Sequence, residues 1–361
     1  MASQTPTIYD VATLANVSVA TVSRCINGSA NVEPATRARV AAAISELGFV
    51  RNATAQRLSS GKNKIIGLVF PKDFIPGDGP DVERESMLFI DTVMRGIEFE
   101  ASRNDYSVLI SFVDLDLEQR LEALERMLGA VDGIIALERV FTADFVSEIE
   151  YRLPVVVLAG GDTPANVDVV RSDNEGAMVA IAEHLVTQHG IQHAGFIQGR
   201  LNSPDADQRL DSFAAAFRER GGTVDDVDIL RGDFTVVGGI AAMQDRMTSD
   251  VPLPEVFVSA NDQMAYGAIS VLQDHGREVP SDIFFTGFDD TPMSQLMTPP
   301  LTTVRQDTIG MGTAAVQLLI DAMANPKREK KLVSLPTQLV VRYSCGCSNT
   351  KGMDLVREMA S

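Results

Sequence analysis

Thr7-Ile8-Tyr9-Asp10-Val11-Ala12 and, a few residues on, Val17-Ser18-Val19-Ala20-Thr21-Val22-Ser23-Arg24 decide how the start of the chain folds. Ile8, Val11, Ala12 and Ala15 recur every three or four residues, which predicts a first helix with one apolar face. Asn16-Val17-Ser18 interrupts the pattern, and Ser18 supplies an N-cap for a second helix over about 19–26. Asn27-Gly28-Ser29 ends that helix through residues that tolerate a left-handed backbone. A third helix is expected from Pro34 to Gly48, with Val40, Ile44 and Leu47 on one face. Small Ala12 where two helices cross, Asn16 in the turn and Val22 between them predict a helix-turn-helix within residues 5–50.

A unit of this kind lays its second helix in the major groove of DNA. Val19 and Ala20 are small and apolar and suit a thymine methyl, while Arg24 can pair with O6 and N7 of guanine. Tyr9, Ser18, Thr21, Ser23 and Asn27 add groups for phosphates or base edges. The competing reading is a plain helical bundle with a solvated Arg24.

Charge is distributed to match. The 361 residues carry a net −18, which alone would argue against a nucleic-acid partner. Residues 1–62, however, hold Arg24, Arg37, Arg39, Arg51, Arg57 and Lys62 against Asp10, Glu33 and Glu46. That is a net +3, leaving −21 on the rest: a basic head on an acidic body. With 45% hydrophobic and 22% charged residues, the chain has material for two or three globular domains.

The stretch 51–63 is short and polar and reads as a linker with weak helical potential. From residue 64 onward, apolar strands alternate with amphipathic helices. Strands are expected over 65–70, 107–113, 131–137, 154–159, 194–198, 256–259 and 283–287. Helices are expected over 87–103, 117–128, 175–189, 205–220, 263–275 and 309–324. This alternation predicts an α/β body of parallel, doubly wound sheets, too many strands for one sheet and therefore two lobes, with the break near 171–174.

The quoted head, together with Asn27-Gly28, Thr36-Arg37, Glu46-Leu47-Gly48-Phe49 and Asn52, closely resembles the lactose-repressor (LacI/GalR) family. The resemblance continues through Asn261-Asp262-Gln263-Met264-Ala265, Gly287-Phe288-Asp289-Asp290, Pro299-Pro300-Leu301-Thr302-Thr303-Val304 and Leu339-Val340-Val341-Arg342. It implies a helix-turn-helix head, a hinge helix over 51–63 that folds on operator DNA, and a periplasmic-binding-protein-like body over 64–347. Lobe 1 would take about 64–172 and 305–333, and lobe 2 about 173–304 and 334–347. Leu58 would be the wedge that unstacks a central base step, with Ala55 on the minor-groove floor, Arg57 near the backbone and Asn52 beside them.

The resemblance also implies a homodimer on a palindromic operator and a small-molecule effector, a sugar, in the interlobe cleft. Arg209, Asn261 and Asp289 fall at its cleft contacts and Phe234 at its aromatic platform. Asp289 and Asn261 could instead merely cap turns at strand ends. Two departures bear on the ligand: Ala159 stands where sugar-binding relatives often carry a charged residue, and an acidic insertion over 72–86 replaces a short loop. A corepressor-dependent or non-sugar regulator of the same fold is the runner-up, and a cytoplasmic solute-binding protein a more distant one.

Three cysteines cannot build a disulfide framework, which fits a reducing compartment. Cys345-Gly346-Cys347 is a lone C-x-C without a second ligand pair nearby, and the four histidines show neither H-x-x-x-H nor H-E-x-x-H. No metal and no cofactor is expected. No G-x-S-x-G or G-x-x-x-x-G-K-[ST] is present, so enzyme activity is not expected. Without a leader pattern or an apolar run of about 20 residues, the chain is expected to be cytoplasmic and off the membrane. The tail over 348–361 is too short for a sustained coiled coil, so a dimer is expected rather than a tetramer.

Overall fold

The computed structural model describes residues 6–26, 28–29, 31–49, 63–71, 87–113, 116–137, 140, 152–159 and 167–348. The chain divides into two units, Met1–Lys62 and Asn63–Ser361. The expected hinge over 51–63, apart from Asn63, and the insertion over 72–86 lie outside the described residues, as do Asn27, Asn52, Ala55, Arg57 and Leu58.

In the first unit, local caps set the helices. Thr7 and Asp10 cap α1 (Ile8–Leu14) reciprocally: the Asp10 carboxylate accepts from Thr7 N at 2.7 Å, and the Thr7 hydroxyl accepts from Asp10 N at 3.4 Å. Asn16 takes the left-handed conformation that a tight turn needs. Ser18 then opens α2 (Val19–Ile26), its Oγ accepting from Thr21 N at 3.2 Å. The helix α3 (Pro34–Leu47) stops at Gly48 in the left-handed region. Val11, Val22 and Val40 are fully buried between the three helices with Ala12, Ala15 and Ala43. Burial of each valine contributes about 1.5–3 kcal/mol, so so small a core is sensitive to any one of them.

The second unit opens with β1 (Ile65–Pro71), α4 (Met87–Arg103), β2 (Ser107–Val113), α5 (Leu117–Leu128), β3 (Gly133–Leu137), β4 (Val155–Leu158) and β5 (Asp168–Ser172). These strands form a parallel sheet in the order β11-β5-β4-β3-β1-β2, with β11 (Leu332–Leu335) at one edge and β2 at the other. β3 and β4 are buried along their length, as strands covered on both faces must be. One cover is the pair α4 and α10 (Thr308–Ala324), whose Ile90, Val93, Ile97, Met311, Ala315 and Leu319 share a core.

The second lobe follows with α6 (Asn174–His189), β6 (Ala194–Gln198), α7 (Pro204–Glu219), β7 (Ile229–Arg231), α8 (Val236–Met247), β8 (Val256–Ser259), α9 (Asp262–Asp274) and β9 (Phe284–Thr286). Its sheet is also parallel, in the order β7-β6-β8-β9. Phe196, Phe213, Phe217, Phe257, Phe285 and Phe288 are fully buried in its core. The antiparallel pair β10 (Thr303–Gln306) and β12 (Thr337–Val340) lies where the chain passes between lobes. The α/β, doubly wound reading is therefore borne out. Among the described residues no helix is long and apolar enough to cross a membrane.

Among the described residues, five strands and one α-helix go beyond the expectation from sequence. β5 begins on Asp168, which reads as loop, yet the residue is fully buried and accepts from Arg328 Nη1 at 2.7 Å. Gly238-Gly239 weakens the helical signal of α8, which tertiary packing on α9 overrides. β7, β10, β11 and β12 are three or four residues long, too short to show alternation.

Candidate functional site

The exposed side of the recognition helix carries few groups. Ala20 and Arg24 are exposed, Val19, Thr21 and Ser23 are half-buried, and Val22 points inward. Val19 packs against the margin of the small core. Ser18 is exposed at the cap, where its hydroxyl lies 2.9 Å from that of Thr21, so these two side chains already serve the helix start. Tyr9 on α1 is 69% exposed, an unusual position for an aromatic ring with no binding partner. The fold thus leaves Tyr9, Ala20 and Arg24 outward and gives Ser18 and Thr21 a structural task besides.

In the second unit, residues far apart in sequence line one cleft. Arg209, Phe234, Asn261 and Asp289 border the same cavity, which encloses about 830 Å³ including its open mouth. Each follows the logic of a doubly wound sheet, where loops at the carboxyl ends of strands form the binding crevice. Phe234 lies beyond β7, Asn261 beyond β8 and Asp289 beyond β9. Arg209 projects from α7, the helix after β6.

Arg209 is buried and immobilised. Its Nε donates to Asn174 Oδ1 at 2.9 Å and its Nη1 to Ala260 O at 2.7 Å, while the guanidinium lies 3.7 Å from the centre of the Phe288 ring. Burial lowers the guanidinium below its usual pKa, opposed by Asp205, Asp289 and Asp262. Phe234 adopts a positive φ of 72°. Its ring lies against Gly199, at the end of β6, where any side chain would collide with it. That contact fixes the ring's plane.

Asn261 has two structural bonds. Its Oδ1 accepts from Met264 N at 3.0 Å, capping α9, and its Nδ2 donates to Phe234 O at 2.9 Å. The turn-capping role considered for this residue is present, and the same side chain lines the cavity. Asp289, also at positive φ, accepts from Gln306 Nε2 at 2.6 Å. Burial pushes its carboxyl up to about 7, against the pull of Arg209, and nearby Asp262 adds to the rise. Burial likewise raises Asp262 to about 6, although Ser294, Thr303 and Thr291 N all donate to it.

Arg200, Asp205, Gln263 and Gln306 line the cleft too and were not singled out from the sequence. Arg200 and Asp205 flank the turn between β6 and α7, a signal the strand-end rule could have supplied. The first lobe contributes Phe89, Leu137 and Ala159, an apolar wall.

A helix-turn-helix joined to a two-lobed α/β clamp defines a DNA-binding regulator that responds to a ligand. Residues 7–52 match the model of bacterial regulatory proteins of the lacI family, and residues 182–345 match a periplasmic binding protein-like domain. Catabolite control protein A of Priestia megaterium is 34% identical over 341 residues, covering 94% of this chain and 98% of that protein. A lac repressor dimer solved with operator and the anti-inducer ONPF superposes with a TM-score of 0.80 at 26% identity, over 95% of this chain and 99% of that one. A transcriptional regulator CelR–cellobiose complex matches at 0.67 and 28% identity, over 94% and 99%. The chain belongs to the lacI family of bacterial regulatory proteins. It is a transcriptional regulator rather than an enzyme.

Proposed function

We propose that this chain is a repressor that binds a palindromic operator as a homodimer and is controlled by a sugar in the interlobe cleft. Residues 5–50 read base edges, 51–63 form the hinge, and 64–347 form the clamp and dimer contacts. Val19, Ala20 and Arg24 meet base edges; Tyr9, Ser18, Thr21, Ser23 and Asn27 meet edges or phosphates. Asn52, Ala55, Arg57 and Leu58 act from the hinge, which works beside DNA in the cytoplasm. The observation that carries the ligand reading is the meeting of Arg209, Phe234, Asn261 and Asp289 around one cavity. A flat ring, a fixed cation and a carboxylate are what a pyranose needs: a face for its C–H groups and partners for paired hydroxyls. The CelR–cellobiose complex supports that ligand class.

The apolar wall of Phe89, Leu137 and Ala159 favours a glycoside whose second group is apolar or presents a second ring face. The dimer is supported by the edge strand β2, where Leu109 and Ile110 are exposed, and by exposed Leu88 and Phe99 on α4. A thermal-shift panel of mono- and disaccharides and aryl glycosides tests the ligand class. Saturable stabilisation by a glycoside, absent in Arg209→Met, is expected. Stabilisation by nucleobases or amino acids instead would remove the sugar.

A further inference from the structure

At the other end of the second lobe from the cleft, four side chains converge that the regulator reading does not use. His184 and His189 end α6, and Cys345 and Cys347 lie on the segment that follows β12. Their ligand atoms all lie within 4.8 Å of one another, and they are the one such group of His, Cys, Asp or Glu among the described residues. No second ligand pair stands near Cys345-Gly346-Cys347 in sequence. The fold brings one from more than a hundred residues away.

Four of the six ligand-atom spacings lie close to those a tetrahedral metal site requires, and the rest are within 4.8 Å. Zinc bonds of about 2.0–2.1 Å to nitrogen and 2.3 Å to sulfur put ligand atoms about 3.3 Å (N···N), 3.6 Å (N···S) and 3.8 Å (S···S) apart. Here the two Nε2 atoms are 3.3 Å apart. Cys345 Sγ is 3.3 Å from His184 Nε2, and Cys347 Sγ is 3.3 Å from His189 Nε2 and 3.8 Å from His184 Nε2. The histidine spacing, H-x₄-H, falls in the range structural zinc sites use, while C-x-C is tighter than usual.

Local structure makes the tight C-x-C workable. Gly346 has a φ of 84°, and a Cβ there would stand 2.9 Å from the Phe284 ring. A glycine therefore turns the chain so that both sulfurs reach the same point. Phe284 also meets the edge of the His189 ring, at 5.2 Å between centroids, and so supports both arms of the site. The buried Thr302 hydroxyl donates to Cys345 Sγ at 3.1 Å, and accepts from Arg342 N at 2.8 Å. A hydroxyl aimed at sulfur is the outer-sphere partner expected of a metal-bound thiolate.

We infer that His184, His189, Cys345 and Cys347 form a Cys₂His₂ site for a zinc-type divalent cation that pins the segment after β12 to the end of α6. The S₂N₂ donor set and four-point closure select zinc over harder cations and leave no open position for catalysis. The segment already pairs with the sheet: Ser344 O accepts from Phe285 N at 2.9 Å, and Ser344 Oγ donates to Phe285 O at 2.7 Å. Phe284 and Phe285 begin β9 whereas Asp289 follows it, so the metal tightens the lobe without touching the cleft.

The test uses the reduced full-length protein. Elemental analysis after zinc loading and gel filtration should give one zinc per chain. Cobalt(II) loading should give the visible bands of a tetrahedral site together with a thiolate-to-cobalt charge-transfer band. Cys347→Ser and His189→Gln, both at half-buried positions, should each weaken zinc binding by more than about 100-fold while retaining the far-ultraviolet spectrum of the folded chain. Cys25→Ser should change nothing, which assigns the thiol signal to the site. Absence of zinc at micromolar free metal, a cobalt spectrum without the thiolate band, or equal affinity in the folded Cys347→Ser and His189→Gln variants would each overturn the inference.

Discussion

Gln306 holds the carboxylate of Asp289: its Nε2 donates to Asp289 Oδ1 at 2.6 Å while its Oε1 accepts from Ser172 Oγ at 2.5 Å. Ser172 ends the last strand of the first run through lobe 1, and Gln306 ends β10 just before the chain returns to that lobe. A group in the cleft that displaces or recharges Asp289 would therefore bear on the crossing itself. Asp289→Ala is expected to abolish ligand-induced release from operator while leaving ligand-free operator affinity within about twofold, well under the 1.4 kcal/mol of a tenfold change. Normal release by that variant, read by fluorescence anisotropy, would remove Asp289 from the ligand site.

The raised carboxyls also fix a pH dependence. Asp289 and Asp262 hold protons in the folded chain up to about 7 and 6, against an ordinary 3.8. Between those limits the folded state binds more protons than the unfolded one, so their contribution to stability falls as pH rises from about 4 to 7. Asp289→Asn should flatten that slope, so that the variant gains stability over wild type at pH 8 that it lacks at pH 5. Urea midpoints for both proteins at pH 5 and 8 measure it. Parallel slopes would mean that Asp289 stays ionised throughout.

What was legible in the sequence was local. Ser18, and Pro34 with Gly48, mark helix ends within their own turns, and α2 starts and α3 starts and stops there, whereas the reciprocal Thr7–Asp10 cap of α1 emerges only in the structure. The cleft was legible through resemblance: Arg209, Phe234, Asn261 and Asp289 meet around one cavity. What sequence could not weigh was shared duty, since Asn261 caps α9 and lines the cleft at once. Nor could it join His184 and His189 to Cys345 and Cys347, because only the packing of α6 beside β12 brings them together.

The ring of Phe234 owes its plane to Gly199. Phe234→Ala should weaken glycoside binding by about 1 kcal/mol, roughly fivefold, the usual worth of an aromatic face beyond its area. Gly199→Ala should do the same by tilting a ring that is still present. Calorimetric titration of both variants checks this, and full affinity in Gly199→Ala would show that the ring's position does not matter.

Arg24 is exposed on the recognition helix, so its loss should leave the melting temperature unchanged. Arg24→Ala should relax preference at one symmetric base pair per half-site, at a cost of about 1–3 kcal/mol. Identical selected motifs before and after the substitution would exclude Arg24 from base reading.

Ile110, 46% exposed on the edge strand β2, is placed to meet a second copy. Ile110→Asp should shift the protein from dimer to monomer in sedimentation velocity and reduce operator binding to the weak level of a single half-site. A dimer that persists would place the interface elsewhere.

The most direct test of a ligand-controlled operator-binding dimer is selection of duplexes from a random pool by the full-length protein, followed by release from the winning sequence with a glycoside panel. A palindrome with a flexible central step is expected, with release by a glycoside from wild type but not from Asp289→Ala. Enrichment of a single asymmetric half-site, or of no sequence by folded protein, would contradict it.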